Sequence, residues 1–352
     1  MNEGIAARAQ GVASGRLSAL DLIQTALARI AARNGRLQAL TDVTVTSALA
    51  AAARIDALPP GARAALSLAG IPVVIKDLID TAGAVCRGGL DLFADYRPAV
   101  DALAVARLRA AGAIVVGVGA TDRGGMGVRT RTVQHPRIPD RTVGGSSGGA
   151  AVAVAADFCD AALGTDTGGS VRIPAACCGV VGFKPTFGRV PVAGVRALVP
   201  SLDHVGTLAR SVDDVRAIHA VLDPGLVDGA PWASAPRVGV VREAIDVAAR
   251  EVAAGLRAAL EVLTCRGVTL VEVALPADAL LDDAHEVIFL YEAARAWAPV
   301  MARDGERLPP SLRECFRAGA TIADARYAQA MRTRGAVTLA LERLFDAVDV
   351  LL

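Results

Sequence analysis

The chain has 352 residues, 53% of them hydrophobic, with a mean hydropathy of +0.43, which is enough apolar material for a large core and too much for a disordered chain. Alanine supplies much of that hydropathy, and charges interrupt every apolar stretch well short of the ~20 residues a membrane span needs, so no membrane association is expected. With 37 basic and 36 acidic residues scattered along the sequence and a net charge of +1, there is no electrostatic footprint for nucleic acid, and a small near-neutral substrate is the expected partner.

The opening Met1-Asn2-Glu3-Gly4 has neither a basic stretch nor an apolar leader, so a cytoplasmic location is expected. The first sixty residues read as helices. Ser18 to Asp21 offers an N-cap with an acidic partner, Leu22, Ile23, Ala26, Leu27 and Ile30 follow at helical spacing, and Asn34-Gly35 is the expected stop. A second, alanine-rich helix is expected around Val45 to Leu58, ended by Pro59-Pro60-Gly61. Ile71-Pro-Val-Val-Ile75 then reads as a short buried strand with Lys76 at its C-terminal end, the edge of an open α/β sheet where ligand sites collect. A helix near Asp101 to Ala111 leads to a buried strand over Ile114 to Val118, followed by an arginine-rich loop as far as Arg141.

From Val143 to Arg189 the chain is rich in glycine and small residues, with a helical pattern from Ala150 to Ala156. Beyond it, Val238 to Val241 and Val268 to Val273 read as strands flanking a helix near Ala248 to Leu263, and helical patterns fill roughly Asp278 to Phe345. Val348 to Leu352 reads as the start of a further buried strand.

The six cysteines form no C-x-x-C pair, and the four histidines (His135, His204, His219 and His285) lie at no zinc-ligand spacing, so neither a metal nor a cofactor is expected. Basic residues carry a sharper signal. Arginine accounts for 35 of the 37, and the only lysines are Lys76 and Lys184. Arginine stays protonated in proteins, whereas a buried lysine can lose its proton and act as a base. Lys76 is therefore a candidate base, although composition alone leaves an accident of codon usage equally open.

Two glycine-rich segments, Gly144-Gly-Ser-Ser-Gly-Gly149 and Gly164-Thr-Asp-Thr-Gly-Gly-Ser-Val-Arg172, each set a serine among glycines. Such turns let a substrate approach the main chain and can form an anion-binding nest of consecutive N–H groups. An acyl-transfer enzyme needs preorganised donors about 3 Å from the developing oxyanion. The N–H groups of Thr167, Gly168, Gly169 and Ser170 could supply them. The first segment lacks the Gly-Lys-Ser/Thr ending of a phosphate-binding P-loop and does not fit G-x-G-x-x-G. Either segment alone is explained better by a tight turn, with Ser146 or Ser147 capping a helix in the first, than by catalysis.

Together, in the order Lys76, Ser146, Ser170, with a serine-to-serine separation of 24, the motifs closely resemble the amidase signature family. Gly70 to Asp77 is similar to that family's lysine strand, Cys178-Gly-Val-Val-Gly-Phe-Lys-Pro-Thr-Phe-Gly-Arg189 to its segment after the nucleophile, and Pro139-Asp-Arg141 and Ser201-Leu-Asp-His-Val-Gly206 to further family patterns. The resemblance implies Ser170 as nucleophile, Ser146 as proton relay behind a cis Gly145–Ser146 peptide, and Lys76 as base. It implies one α/β domain over residues 1–352 with a central mixed β-sheet covered by helices on both faces: a helical segment 1–60, a signature core 70–220 and a helical part 221–352. Relatives generally continue for about a hundred residues more, so the usual C-terminal portion is expected to be missing.

Ser147 and Asp166 resemble positions that support the relay and the oxyanion loop, although turn hydrogen bonding explains them almost as well. Arg172 is suited either to binding a substrate carboxylate or to pinning its loop, the second being preferred. Lys184 reads as a packing residue, and Cys177 and Cys178 as core thiols. The stretch Gly119 to Arg141 is shorter than in relatives, and His135 stands where asparagine is common, which leaves the pocket wall open. The implied activity is hydrolysis of a small linear amide. The alternatives are the amide-hydrolysing subunit of a glutamine-dependent amidotransferase, working with partner subunits, or a non-enzymatic relative; a homodimer is also open.

Overall fold

The computed structural model describes residues 3–226, 235–275 and 278–352. These fall into two compact units, Met1–Leu226 with Arg295–Cys315, and Val227–Ala294 with Phe316–Leu352.

The first unit is built on a six-stranded mixed sheet. Its strands are β1 (Leu40–Val43), β2 (Pro72–Lys76), β3 (Ile114–Gly119), β4 (Ala161–Asp166), β5 (Val181–Phe183) and β6 (His204–Ala209), in the order β1-β3-β2-β4-β6-β5. The central strands β3, β2 and β4 run parallel, β1 is antiparallel to β3, and β6 is antiparallel to β4 and β5. β2, β3 and β4 are buried along their whole length, as parallel strands covered on both faces must be.

Side-chain alternation divides the covering helices. Val73 and Ile75 of β2, with Val115 and Leu163, pack against helices Ile5–Ala13, Leu103–Ala110 and Val212–Leu222. Val74, with Ile114, Val116 and Ala162, faces helices Ala19–Leu37, Val45–Asp56 and Gly148–Ala155 on the other side. The mixed sheet with helices on both faces is thus the architecture the sequence implied. The small residues of Gly148–Ala155 have a geometric cause: a Cβ on Gly149 would lie 2.3 Å from Ala120 N and from Ala39 O, so this helix rests with its backbone directly on neighbouring backbone.

Three sequence expectations need correction. Asn34-Gly35 does not end the first long helix, which runs Ala19–Leu37 and closes at Gln38 with φ 54°. Asn34 instead donates its side-chain amide to Leu40 O (3.0 Å) and accepts from Leu40 N (2.9 Å), tying the last helical turn to β1. A single interior glycine costs a helix only about 1 kcal/mol, too little to stop it. The initial sixty residues are not wholly helical, because they contain β1, a four-residue strand too short and too polar for its period to show. Finally, the alanine-rich helix stops at Asp56, and Pro60 opens a separate short helix, Pro60–Ala64, as proline at a first helical position favours.

The second unit holds a three-stranded parallel sheet, β7 (Arg237–Val240), β8 (Thr269–Glu272) and β9 (Val350–Leu351), ordered β8-β7-β9. Helix Arg250–Cys265 lays Ala253 and Leu260 against Val240 and Ile245. Asp349 clasps Arg237, accepting from its backbone N (2.7 Å) and from Nη2 (3.0 Å). Among the described residues, no helix is long and apolar enough to cross a membrane, and no group of three or more His, Cys, Asp or Glu side chains could hold a metal ion.

Candidate active site

Lys76 and Asp166 are the last residues of β2 and β4, so two parallel neighbours deliver both to the same end of the sheet. Lys76 is completely buried. By strand alternation it falls on the face of Val74, the side on which helix Gly148–Ala155 packs. Ser146 lies just before that helix. The Gly145–Ser146 peptide is cis. Its Ser146 carbonyl accepts from Thr121 Oγ1 (2.9 Å) and Thr130 Oγ1 (3.4 Å), which fixes the turn.

Lys76 Nζ stands 2.8 Å from Ser146 Oγ, 2.7 Å from Thr165 Oγ1 and 3.4 Å from Thr165 O. Burial lowers the Lys76 ammonium to about 7, against the pull of Asp122, Asp166, Asp203 and Asp77. Near neutrality the group thus has an available lone pair, and its three partners match one lone pair and two N–H donors.

The two glycine loops lie against each other. Gly144 has φ +71°, and a Cβ there would come within 2.8 Å of Pro174 Cα. Ser147 bridges them: its N–H donates to Ser170 O (3.1 Å) and its hydroxyl to Thr165 O (3.2 Å). Ser170 is the most accessible of the three candidates, at 8% exposure against 1% for Ser146 and 0% for Lys76. Its hydroxyl makes no hydrogen bond to Ser146 among the described residues; hydroxyl contacts of this kind often tighten only when substrate is bound.

The loop around Ser170 is wound on Asp166. One carboxylate oxygen accepts from Gly169 N (2.8 Å), and the other from Val171 N (3.2 Å) and Arg172 N (3.4 Å). Arg172 adds two further bonds from its guanidinium, at 2.9 and 2.8 Å. Burial pushes the Asp166 carboxyl up, but Arg172 and the N–H groups of Val171 and Gly169 outweigh it and leave the carboxyl below its ordinary value. Arg172 is therefore engaged with its own loop. Gly169 departs from the sequence expectation, since its N–H is taken by Asp166. The N–H groups of Thr167, Gly168 and Ser170 carry no hydrogen bond among the described residues and are the donors left open.

Sequence reasoning missed Thr165, Thr121, Thr130 and Asp203. Asp203 accepts from Thr167 Oγ1 (2.7 Å) and from the N–H groups of Leu198 and Val199 (2.8 and 3.0 Å). Thr165 is the next-to-last residue of β4, and its role depends on β4 lying beside β2. Burial pushes the Cys178 thiol up to about 12 and raises Cys177, which keeps both as thiols. His135 accepts at Nδ1 from the N–H groups of Arg137 (3.2 Å) and Ile138 (3.0 Å) and places Nε2 3.0 Å from Cys177 O, binding the arginine-rich loop to helix Arg172–Cys178.

The Amidase family pattern matches residues 21–352. The chain belongs to the amidase signature family. Among curated relatives of this amidase-family chain is a glutamyl-tRNA(Gln) amidotransferase subunit of Chloroflexus aggregans, 34% identical in an alignment of 391 residues covering 99% of this chain and 80% of the relative. The corresponding subunit of Anaeromyxobacter sp. strain K is 41% identical over 301 residues, covering 78% of this chain and 60% of its own length. Among solved structures, an amidase superposes with a TM-score of 0.90 at 32% identity, covering 99% of this chain and 81% of the other. The peptide amidase of Stenotrophomonas maltophilia gives a TM-score of 0.81 at 27% identity, over 94% and 78%.

Proposed function

We propose that the chain hydrolyses the C–N bond of a small linear amide, with Ser170 as nucleophile, Ser146 as proton relay and Lys76 as base. The observation that carries this reading is the 2.8 Å contact between Ser146 Oγ and a fully buried Lys76 whose proton affinity is lowered to about 7. Neutral Lys76 takes the Ser146 hydroxyl proton while Ser146 takes that of Ser170, and the freed Ser170 oxygen attacks the amide carbon. The oxyanion meets the open N–H groups of Thr167, Gly168 and Ser170, where one lost donor costs about 3 kcal/mol of transition-state stabilisation. The proton on Lys76 returns through Ser146 to the departing nitrogen, the C–N bond breaks, and water then releases the acyl group from Ser170.

Ser147 and Asp166 support this arrangement through the bonds that join and shape the two loops, and Arg172 does so through Asp166. The substrate is a near-neutral small molecule, no cofactor takes part, and the enzyme works in the cytoplasm. The test is ammonia release from a panel of small amides, ureas and glutamine by the purified chain. Turnover that requires Ser170 supports the proposal; a folded chain inert towards the whole panel and towards a fluorophosphonate probe overturns it.

A second reading is favoured by the names of the relatives, which are subunits of amidotransferases. In that reading the same triad releases ammonia from glutamine for a partner enzyme. Glutamine turnover that appears only when partner subunits are added supports it, and turnover of other amides by the chain alone favours the first.

A further inference from the structure

The second of the two lysines, Lys184, is not used by the mechanism above, yet it stands close to the nucleophile loop. Lys184 follows β5, His204 opens β6 and Asp166 closes β4, and because β6 lies between the other two strands the three residues meet at one edge of the site. His204 Nδ1 is 2.6 Å from Leu202 O and 3.2 Å from Asp166 O. A nitrogen facing two carbonyls must carry the proton, so in the neutral ring Nε2 is the acceptor. Lys184 Nζ lies 3.2 Å from Nε2 and also donates to Pro185 O at 2.7 Å.

We propose that Lys184 and His204 are a positioning pair that orients the Asp166–Thr167 peptide, whose N–H is one of the open donors beside Ser170. The inference rests on the active-site reading above. Lys184 meets the free Nε2 of His204 in the Nδ1–H form that the two carbonyls require, and that N–H is shared between Leu202 O and the carbonyl of Asp166. The Asp166 carbonyl and the Thr167 N–H belong to one planar unit, so a donor on the carbonyl fixes the direction of the N–H and polarises it. On the far side, the Thr167 hydroxyl is tied to Asp203 Oδ1 at 2.7 Å, so both ends of the unit are held. Phe187 stands edge-on to His204 with ring centres 5.3 Å apart and covers it. The charged groups facing His204 are Lys184 and Asp166; those facing Lys184 are Arg172 and Asp166. Burial, then the Lys184 charge, lower His204 below the ordinary histidine value, in keeping with a neutral ring.

The test combines nitrogen NMR of the histidine rings in the full chain, with His204 assigned from the signal lost in His204→Asn, and steady-state kinetics on whichever amide the panel yields. Wild-type His204 should show the Nδ1–H form. In Lys184→Met the ring, still facing the two carbonyls, should keep that form but titrate at higher pH, with kcat reduced about 10- to 100-fold and KM within about twofold, because only the transition state uses the donor. Lys184→Arg, which keeps a donor for Nε2, should keep the tautomer and recover most of kcat. An Nε2–H form in the wild type, wild-type kcat in Lys184→Met, or equal loss of kcat in the Met and Arg variants with the His204 titration unmoved would each overturn the proposal. A wild-type chain that neither hydrolyses an amide nor labels at Ser170 overturns instead the active-site reading beneath it, and does so before any variant is made.

Discussion

Arg172 grips Asp166 with two hydrogen bonds, Nε to Oδ2 at 2.9 Å and Nη2 to Oδ1 at 2.8 Å. Asp166 is fully buried whereas the Arg172 side chain is half exposed, so the pair is asymmetric. Removing the buried charge should cost far more than weakening its partly solvated partner. Asp166→Asn should destabilise by about 3 kcal/mol, since it strands N–H donors and an arginine around a neutral amide. Arg172→Lys should cost about 1 kcal/mol. Urea melts give both values, and similar losses in the two variants would contradict the account.

The same carboxyl predicts an acid limb of stability. Its proton affinity is held below the ordinary value in the fold. Its contribution is therefore complete above about pH 4 and is lost as pH falls through the lower, folded-state value. Melts of Asp166→Asn should show a shallower decline than the wild type below about pH 4; parallel declines would count against the assignment.

Thr165 holds the base. Its hydroxyl oxygen accepts from Lys76 Nζ at 2.7 Å, and an accepted hydrogen bond favours the ammonium over the amine. Thr165→Val keeps the shape and removes the acceptor, so the group should lose its proton more readily. The acid limb of kcat/KM should move down from near 7 by up to about one pH unit. A limb that stays in place or moves up would refute this role.

Gly149 marks the tightest packing under the site. An added Cβ would sit 2.3 Å from two backbone atoms, Ala120 N and Ala39 O, which cannot give way as a side chain can. Gly149→Ala should therefore cost more than about 3 kcal/mol despite its higher helix propensity. Thermal melts check this, and a stabilised variant would show that the helix can shift.

The parts of this molecule legible in the sequence were those whose chemistry is written locally. β2 and β3 are unbroken apolar runs, which identify buried strands, and Lys76 stood out because arginine could not replace it as a neutral base. Ser146, Ser170 and Asp166 were visible through the glycines around them. Thr165 was not, because its role depends on β4 lying beside β2, a long-range pairing no local pattern records. β4 itself, Ala-Ala-Leu-Gly-Thr-Asp, was hidden among glycines and small residues. Gly169 illustrates the limit of composition: a glycine-rich loop suggested four free donors, and only the fold shows that one is taken by Asp166.

The most direct test of the account is the pH dependence of fluorophosphonate labelling at Ser170. Burial brings Lys76 to about 7, and only its neutral form can accept a proton. The wild-type labelling rate should rise with pH through about 7 and then level off. Folded Lys76→Met, which keeps an apolar chain of similar length, should label at least about 100-fold more slowly at every pH. Labelling of Lys76→Met at the wild-type rate, or a probe attached to another residue while Ser170 stays free, would contradict the central claim.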